Sequence, residues 1–326
     1  MNELYTQLKV FGHVKANEPM NKHTTFKIGG PVDYFLTIDS TDSLVEALRF
    51  LDGEGVPYFI LGGGSNMLVR DEGFRGVAVR IKDTRCEIQD TVVQCAAGCS
   101  TVEAAQKSIA AGLTGFEWGV GVPGTIGGAV RGNAGAMGGE MKDSVDQVEI
   151  YRDGEIVEIN NKECQFGYRD SVFKHRSDII LRVYLRLKKT EDVSGMKQAM
   201  DNLMYRNKTQ PQGYASIGCI FKNIDLKKIE NSHRHQAGSR SKREKLKIEI
   251  PEEFVKKGKI SAGWLIDQSG MKGVKVGNAQ ISERHGNFIV NLGGATAQDV
   301  LSLIEQAKEK VYDTTGVEIE EEIQII

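Results

Sequence analysis

The distribution of glycine constrains the fold of this chain more than any other feature of its sequence. Of its 37 glycines, 21 lie between Gly29 and Gly139, about a third of the chain. The chain has only 6 prolines, so it is neither collagen-like nor a Pro/Gly-rich low-complexity sequence. Glycine adds no side chain to a core and lets other groups approach the backbone closely. Much of the N-terminal half is therefore predicted to be backbone that lies close to a bound group.

Length and charge limit the possible class of protein. The 326 residues predict two domains or three small ones. Because 42 Lys and Arg face 44 Asp and Glu, the chain lacks the basic excess of a general nucleic-acid binder. No apolar run approaches the roughly 18 residues of a membrane span, and the N-terminal residues lack a signal-peptide pattern. We therefore expect a cytoplasmic protein.

The five cysteines are predicted to be free thiols. They are an odd number scattered along a long chain, which is typical of a reducing compartment. Cys95 and Cys99 are separated by three residues, with no second pair and no histidine nearby in the sequence. A zinc site needs such a second pair of ligands. We therefore expect no metal site.

Hydrophobic periodicity predicts a chain of alternating short helices and strands. The predicted helices are Thr41–Gly55, Thr101–Ala111, Val193–Arg206 and Ala297–Thr314. The predicted strands are Val56–Leu61, Val77–Ile81, Val92–Ala97, a hairpin over Gln147–Asn160, Ile180–Lys188 and Val317–Ile326. Asp153-Gly154 is a strong turn signal at the centre of the hairpin.

The segment Lys227–Lys259 differs from its surroundings. It holds eleven Lys and Arg against five Glu, with two histidines and few apolar residues. This composition favours a solvated, mobile insertion. The alternative is a basic patch for an anionic partner.

Two glycine loops carry the strongest indication of a ligand. Gly62-Gly63-Gly64-Ser65-Asn66 directly follows a predicted strand, and its amide groups could form an anion-binding nest or simply a tight turn. The second loop places five glycines within the ten positions Gly119–Gly128. It is too apolar for a disordered linker and suits backbone pressed against a flat ligand and a pyrophosphate. Two such loops favour a nucleotide cofactor.

The order of the motifs resembles the UDP-N-acetylenolpyruvoylglucosamine reductase family. The motifs, in chain order, are His23–Pro31, Gly62–Asn66, Gly121–Ala129, Asn133–Ala136, Phe166–Ser171 and the Glu-rich segment Ile319–Ile323. The resemblance covers nearly the whole chain. The 50 residues between Arg169 and Cys219 are similar to the shorter, second type of the family.

The resemblance implies an α+β protein. The implied architecture is a two-subdomain FAD-binding fold of the vanillyl-alcohol-oxidase (PCMH) type, followed by an α+β substrate-binding domain. The expected boundaries are 1–85 and 86–190 for the two FAD-binding subdomains. Residues 191–326 would form the substrate domain, with the basic insertion near 227–259. FAD and NADPH are the implied cofactors, and the implied substrate is UDP-N-acetylglucosamine enolpyruvate. The other expectations are no nucleic-acid partner and a monomer or weak oligomer.

The family's site residues carry over onto this sequence by motif. The implied catalytic residues are Arg169, Cys219 and Glu322. Arginine suits a carboxylate and a developing enolate, and Cys219 stands where the family usually has the serine that donates a proton. Spacing alone leaves Glu318 and Glu320 as alternatives to Glu322. The implied FAD-binding residues are Gly62, Gly63, Gly64, Ser65, Asn66, Gly121, Pro123, Gly124, Thr125, Gly127, Gly128 and Ala129.

Tyr168, Asn223 and His285 are the implied substrate-binding residues, and Asn287 is an alternative to His285. Lys27 stands where the family usually has arginine, and Thr209 stands where a lysine is common. Two other functions fit the same cofactor half of the chain. One is an FAD-dependent oxidase of a sugar or hydroxy acid, and the other is a non-catalytic binder of a nucleotide sugar.

Overall fold

Short helices and strands follow one another along the whole described chain. The computed structural model describes residues 3–192, 194–227 and 246–326. The helices in these residues are α1 Glu3–Leu8, α2 Thr41–Gly53, α3 Thr101–Ala110, α4 Ile126–Arg131, α5 Met141–Ser144, α6 Ser194–Thr209, α7 Glu252–Lys257, α8 Ala262–Gln268 and α9 Ala297–Thr315. The first ten strands are β1 His13–Pro19, β2 Pro31–Ile38, β3 Tyr58–Leu61, β4 Met67–Leu68, β5 Phe74–Ile81, β6 Cys86–Gln89, β7 Val92–Ala96, β8 Leu113–Thr114, β9 Gly135–Ala136 and β10 Gly139–Glu140. The others are β11 Val145–Arg152, β12 Glu155–Asn160, β13 Ile179–Arg186, β14 Lys188–Lys189, β15 Ile224–Asp225, β16 Lys259–Ile260, β17 Lys275–Val276, β18 Ala279–Ile281, β19 Ile289–Asn291 and β20 Gln324–Ile325.

Turn and capping residues set the ends of several elements. Asp153 and Gly154 both have positive φ (49° and 86°), as a two-residue hairpin turn requires, and Arg152 pairs with Glu155 across it. The predicted hairpin is therefore confirmed. The hydroxyl of Thr296 accepts a hydrogen bond from Asp299 N at the start of α9, and Gly316 in the left-handed conformation ends that helix.

The first compact unit contains both large sheets. It comprises the residues up to His23, Pro31–Ser65 and Gly73–Lys208. One sheet has the strand order β1-β2-β5-β3, in which β2, β5 and β3 are parallel. The other sheet is antiparallel, with the order β12-β11-β13-β7-β6. Apolar side chains of α2, both sheets, α3 and α4 form one continuous core.

The second compact unit is assembled from three separate parts of the chain. They are Thr24–Gly30, Asn66–Glu72 and Thr209–Ile326. Helices α8 and α9 pack with the sheet β17-β18-β19 around an apolar core that includes Phe26, Leu68 and Phe221. The expected boundaries at 85, 190 and 326 stay predictions.

The prediction of one regular strand over Val317–Ile326 is wrong. The apolar side chains of Val317, Ile319 and Ile323 are buried as the alternation predicts. The backbone, however, changes partner along the segment. Lys222 N donates to Glu320 O, whereas Gln324 N donates to Asn66 O. Only β20 pairs as a regular strand, parallel to β4.

The basic insertion is only partly described by the structure. Residues 228–245 lie outside the described residues. In the remainder, Leu246, Ile248, Ile250 and Phe254 pack against the core of the second unit. Lys259 and Ile260 form β16, which pairs with β15. Most charged residues of this part are exposed, as expected for a solvated segment, whereas its four apolar residues above are half-buried against the core of the second unit.

Within the described residues, no helix has the length and apolar character needed to cross a membrane.

Candidate FAD and enolpyruvyl-sugar sites

The two glycine loops contact each other in the first unit. A Cβ atom on Gly63 would lie 2.7 Å from Gly124 Cα, and one on Gly62 would lie 2.5 Å from Thr125 Oγ1. The Ser65 hydroxyl donates a hydrogen bond to Pro123 O at 3.2 Å. The absence of side chains at positions 62 and 63 is therefore what allows the loops to approach.

The start of α4 holds the second loop in place. Thr125 caps the helix, since its hydroxyl accepts a hydrogen bond from Gly128 N at 3.3 Å. Ile126 N and Gly127 N donate to the carbonyl oxygens of Cys99 and Ala97. A Cβ on Gly127 would lie only 2.9 Å from that of Ala97. Glycine at position 127 is thus required for close packing of α4 on the segment that follows β7.

The donor groups of the two loops suit an anionic ligand such as the pyrophosphate of FAD. The backbone amides of Gly63, Ser65, Gly124 and Thr125 donate no hydrogen bond to another described residue. Unpaired amide groups on adjoining loops can bind phosphate oxygens without a competing partner. The residues present therefore fit the cofactor that the glycine pattern predicts.

Arg169 lies on a loop that is fixed by a fully buried asparagine. The Asn133 side chain donates to Gly167 O at 2.7 Å and to Glu140 Oε2 at 2.7 Å, and it accepts from Lys142 N. Asn133 has no solvent exposure. The motifs at 133–136 and 166–171, which are 30 residues apart in the sequence, are thus joined in the structure.

The guanidinium of Arg169 is itself anchored. It donates to Gly135 O at 2.8 Å and to Asn133 O at 3.5 Å, and it lies 5.4 Å from the ring centroid of Tyr168. Arg169 has a φ of 55°, a conformation that costs a non-glycine residue energy and is often retained at functional sites. The two predicted residues Tyr168 and Arg169 are therefore in mutual contact.

Arg131 is a charged residue near this loop that the sequence reasoning did not identify. Its side chain is half-buried, and burial lowers the pKa of its guanidinium, an effect partly opposed by the charge of Asp170. The Ser171 hydroxyl donates to Arg131 O at 2.6 Å. The position of Arg131 at the end of α4, next to the second glycine loop, could have identified it.

Cys219 belongs to the second unit. It lies on an extended segment that is hydrogen-bonded on both sides to other extended segments. It forms an antiparallel bridge with Phe288. The next residue, Ile220, donates its amide to Asn287 O and accepts at its carbonyl from Glu322 N at 2.7 Å. Cys219 and Glu322, two of the three predicted catalytic residues, are therefore placed on neighbouring segments of one unit. Arg169 belongs to the first unit.

Solvent exposure distinguishes Glu322 from Glu318 and Glu320, which the spacing in the sequence could not do. Glu318 and Glu320 are exposed, and Glu320 pairs with Lys222 at 3.7 Å. Glu322 is half-buried, and its carbonyl accepts a hydrogen bond from the Asn66 side chain at 3.2 Å. Burial favours Glu322 for a role at a site. Asn66, predicted to bind the cofactor, also holds this segment.

Asn287 positions the segment that carries Cys219. Its buried side chain accepts from Phe221 N and donates to Phe221 O, both at 2.8 Å. The alternative role of Asn287 as a substrate ligand is therefore not favoured, because both ends of its amide bind backbone.

The other two predicted substrate ligands also have defined surroundings. Asn223 Oδ1 accepts from Ala262 N at 3.1 Å, at the start of α8. His285 Nδ1 accepts from Asn287 N at 3.2 Å, which places the proton of the neutral ring on Nε2. Burial and the nearby charge of Lys272 lower the pKa of His285.

The first sequence motif joins the Cys219 segment in the second unit. The Thr25 hydroxyl donates to Ser216 O at 2.7 Å, and the Asn291 side chain donates to Phe26 O at 3.0 Å. Residues 24–30 therefore support the unit that carries Cys219, although they are almost 200 positions away in the sequence.

Comparison with protein families assigns a class to each half of the chain. Residues 32–160 match the FAD binding domain, and residues 210–326 match the C-terminal domain of UDP-N-acetylenolpyruvoylglucosamine reductase. Together with the two glycine loops, these matches define a flavoprotein with a separate substrate-binding domain. The predicted fold class is confirmed.

Full-length relatives narrow this class to one family. The reductase of Caldanaerobacter subterraneus subsp. tengcongensis is 37% identical, over 97% of this chain and 94% of its own length. That of Bacillus subtilis is 35% identical, over 97% and 94%. The crystal structure of the reductase from Thermus caldophilus is 32% identical, with a TM-score of 0.74 over 96% of this chain and 98% of its own. The chain belongs to the UDP-N-acetylenolpyruvoylglucosamine reductase family.

Proposed function

We propose that this enzyme reduces UDP-N-acetylglucosamine enolpyruvate to UDP-N-acetylmuramate in peptidoglycan precursor synthesis, with FAD as its bound cofactor and NADPH as electron donor. The observation that carries this function is the match to reductases over 96–97% of the chain, which includes both the cofactor half and the substrate half.

The two glycine loops bind FAD in this proposal. The free amides of Gly63, Ser65, Gly124 and Thr125 bind the pyrophosphate, and the bare backbone of the other loop residues leaves room for the cofactor. The chemistry that bound FAD supplies is hydride transfer, from NADPH to the vinyl C3 of the substrate in two stages.

Arg169 binds the substrate carboxylate and stabilises the enolate that develops when C3 is reduced. Its guanidinium donates hydrogen bonds to Gly135 O and Asn133 O, so the folded protein orients it before the substrate binds. A fixed cation placed where negative charge develops is the group such a reaction needs. Tyr168 contacts the same guanidinium. Tyr168, Asn223 and His285 each contact the substrate in this proposal.

Cys219 is the general acid that protonates C2. The thiol transfers its proton to C2, the enolate collapses to the saturated lactyl ether, and the thiolate regains a proton from solvent. A thiol, with an ordinary pKa near 8.5, gives up a proton far more readily than a serine hydroxyl. Glu322, as the neutral carboxylic acid, donates a hydrogen bond that stabilises the enolate. The hydrogen bond from Glu322 N to Ile220 O fixes the backbone of the glutamate beside that of the acid.

Spectroscopy and the two half-reactions test this function. The purified protein should be yellow, and its NADPH oxidation should depend on the enolpyruvyl nucleotide. A protein that stays colourless when FAD is supplied would contradict the proposal. If the rate of NADPH oxidation did not depend on the nucleotide, the proposed function would not be supported. Oxygen consumption with a sugar or hydroxy acid in place of NADPH would favour the oxidase.

Variants of Cys219 test the proton donor. In C219A, flavin reduction by NADPH should persist while reduction of the nucleotide collapses. C219S should retain part of the activity, because serine can also donate a proton. The control is C164S, since Cys164 is buried and its thiol donates to Asn160 O in the first unit. Survival of both half-reactions in C219A would show that Cys219 is not the acid.

The cytoplasm is the compartment that suits this chemistry. It supplies NADPH, and the five free cysteines are those of a protein from a reducing environment. We further propose a monomer or weak oligomer, which light scattering coupled to size-exclusion chromatography would test.

A further inference from the structure

Three cysteines outside the proposed active site converge in the first unit. Strand pairing places Cys86 of β6 opposite Cys95 of β7, with their Sγ atoms 3.4 Å apart. Cys99 follows β7 on a turn closed by the bond from Cys99 N to Ala96 O. The three Sγ atoms all lie within 4.8 Å of one another.

The surroundings of the three thiols differ from those of an ordinary buried cysteine. Cys95 and Cys99 are inaccessible to solvent, whereas Cys86 is half-exposed and gives access to the cluster. Cys164 is also buried, but its thiol donates to Asn160 O, away from the other cysteines. The cluster therefore combines two buried thiols with a third that a cation can reach.

We propose that Cys86, Cys95 and Cys99 form a three-thiolate site for a soft d10 metal ion, with Cu+ as the preferred ion. Thiolates are ligands that select Cu+ and Zn2+ among the biological metals. Metal–sulfur bonds of about 2.3 Å place the sulfurs of one shell about 3.8 to 4.0 Å apart. The Cys86 and Cys95 sulfurs are 3.4 Å apart and all three lie within 4.8 Å of one another, so small side-chain shifts would form the shell. Three thiolates complete a trigonal shell for Cu+, whereas Zn2+ takes four ligands and no fourth side chain joins the group in the described residues.

The cluster is joined to the residues that support the second glycine loop. Cys99 O and Ala97 O accept hydrogen bonds from Ile126 N and Gly127 N, at the start of α4. An ion bound by the cysteines would therefore tie the β6–β7 hairpin to the backbone on which α4 begins. The sequence predicted no metal site because only Cys95 and Cys99 are close together along the chain. The strand pairing that brings Cys86 beside Cys95 cannot be seen from sequence spacing.

Anaerobic titration of the reduced, FAD-loaded enzyme with Cu+ tests this site. A chromogenic Cu+ chelator competes for the ion and reports the affinity. The wild type and the control C164S should each bind one Cu+ per chain with equal affinity. C86S and C95S should bind it at least about 100-fold more weakly, because each loses a ligand. C86S replaces the half-exposed cysteine, so its fold can be verified by circular dichroism and FAD content.

Three results would overturn the proposal. One is an unchanged affinity in C86S and C95S, which would place the copper elsewhere, for example on Cys219, which every variant retains. Another is tighter binding of Zn2+ than of Cu+ in the same competition. The third is a reduced enzyme that binds no Cu+ and forms a Cys86–Cys95 disulfide in air, detected by peptide mapping.

Discussion

The buried side chain of Asn133 donates a hydrogen bond to Gly167 O at 2.7 Å. This contact joins the loop after α4 to the loop that carries Arg169. Because Arg169 in turn donates to Asn133 O and Gly135 O, the two loops hold each other. The proposed substrate arginine is therefore fixed by a residue that contacts neither cofactor nor substrate in the proposed mechanism.

Replacing Asn133 by alanine should destabilise the protein and impair reduction of the nucleotide. The change leaves Gly167 O and a Glu140 carboxylate oxygen without their donor, at a cost of about 3 kcal/mol. The φ of 41° at this position also disfavours alanine. Urea unfolding measures the loss. The control is M137A in the turn between β9 and β10, where the side chain is exposed and φ is also positive. Equal stability of N133A and M137A would contradict this account.

Replacing Gly63 by alanine should weaken FAD binding by at least about tenfold, or about 1.4 kcal/mol. The added Cβ would meet the backbone of Gly124 at 2.7 Å, so the two loops must separate. Calorimetric titration of the apoprotein with FAD measures the change. The control is G53A in α2, where a Cβ has no neighbour within 4 Å and alanine favours the helix. Tight FAD binding by G63A would show that contact between the loops is not needed.

Replacing Arg169 by lysine should reduce the rate of nucleotide reduction by about 100-fold, since one ammonium cannot bind two carbonyls and a carboxylate in the same geometry. Flavin reduction by NADPH alone should remain close to that of the wild type. Stopped-flow measurement of the two half-reactions separates these effects. The exposed Arg176 provides the control R176K. If R169K slowed both half-reactions equally, the proposed role in enolate stabilisation would be wrong.

His285 should make the stability of the holoenzyme depend on pH. Burial, then Lys272, lowers its pKa in the folded state below the ordinary 6.5. The unfolded chain therefore binds the proton first, and stability falls as the pH decreases from about 6.5 towards the folded pKa. Protonation at Nδ1 also breaks the bond from Asn287 N.

The variant H285N tests this dependence, because its side-chain oxygen can replace the Nδ1 acceptor without titrating. The melting temperature of the wild type should fall more steeply below about pH 6.5 than that of H285N. H13N, at an exposed histidine of β1, should behave like the wild type. Parallel curves for the wild type and H285N would rule out this contribution.

Local patterns in the sequence predicted most elements and the residues of the glycine loops. The Asp153-Gly154 turn and the Gly316 cap depend on backbone conformations that few residues adopt, so the sequence determines them directly. The approach of Gly63 to Gly124 follows from the same property. The sequence predicted only that the two loops surround one ligand. The spacing of the glycines does not show which of them contact each other.

Pairing between distant segments could not be predicted from periodicity. The alternation in 317–326 correctly predicted the buried side chains, but it carries no information on the partner. The hydrogen-bonding partner of this segment therefore changes from residues 220–222 to residues 66–70, although the alternation of apolar residues continues without a break. The Cys86–Cys95 contact was missed for the same reason, since it depends on the register of β6 against β7.

The three-part composition of the second unit has a consequence for protein synthesis. Asn66 and Glu322, which are 256 positions apart, are joined by a hydrogen bond, and β4 pairs with β20. Residues 24–30 and 66–72 therefore leave the ribosome long before their partners exist, whereas the parts of the first unit are complete by Lys208. Domains usually fold in the order in which they are translated. Here the nascent chain must keep Phe26 and Leu68 from aggregating until the last residues of their core have been made.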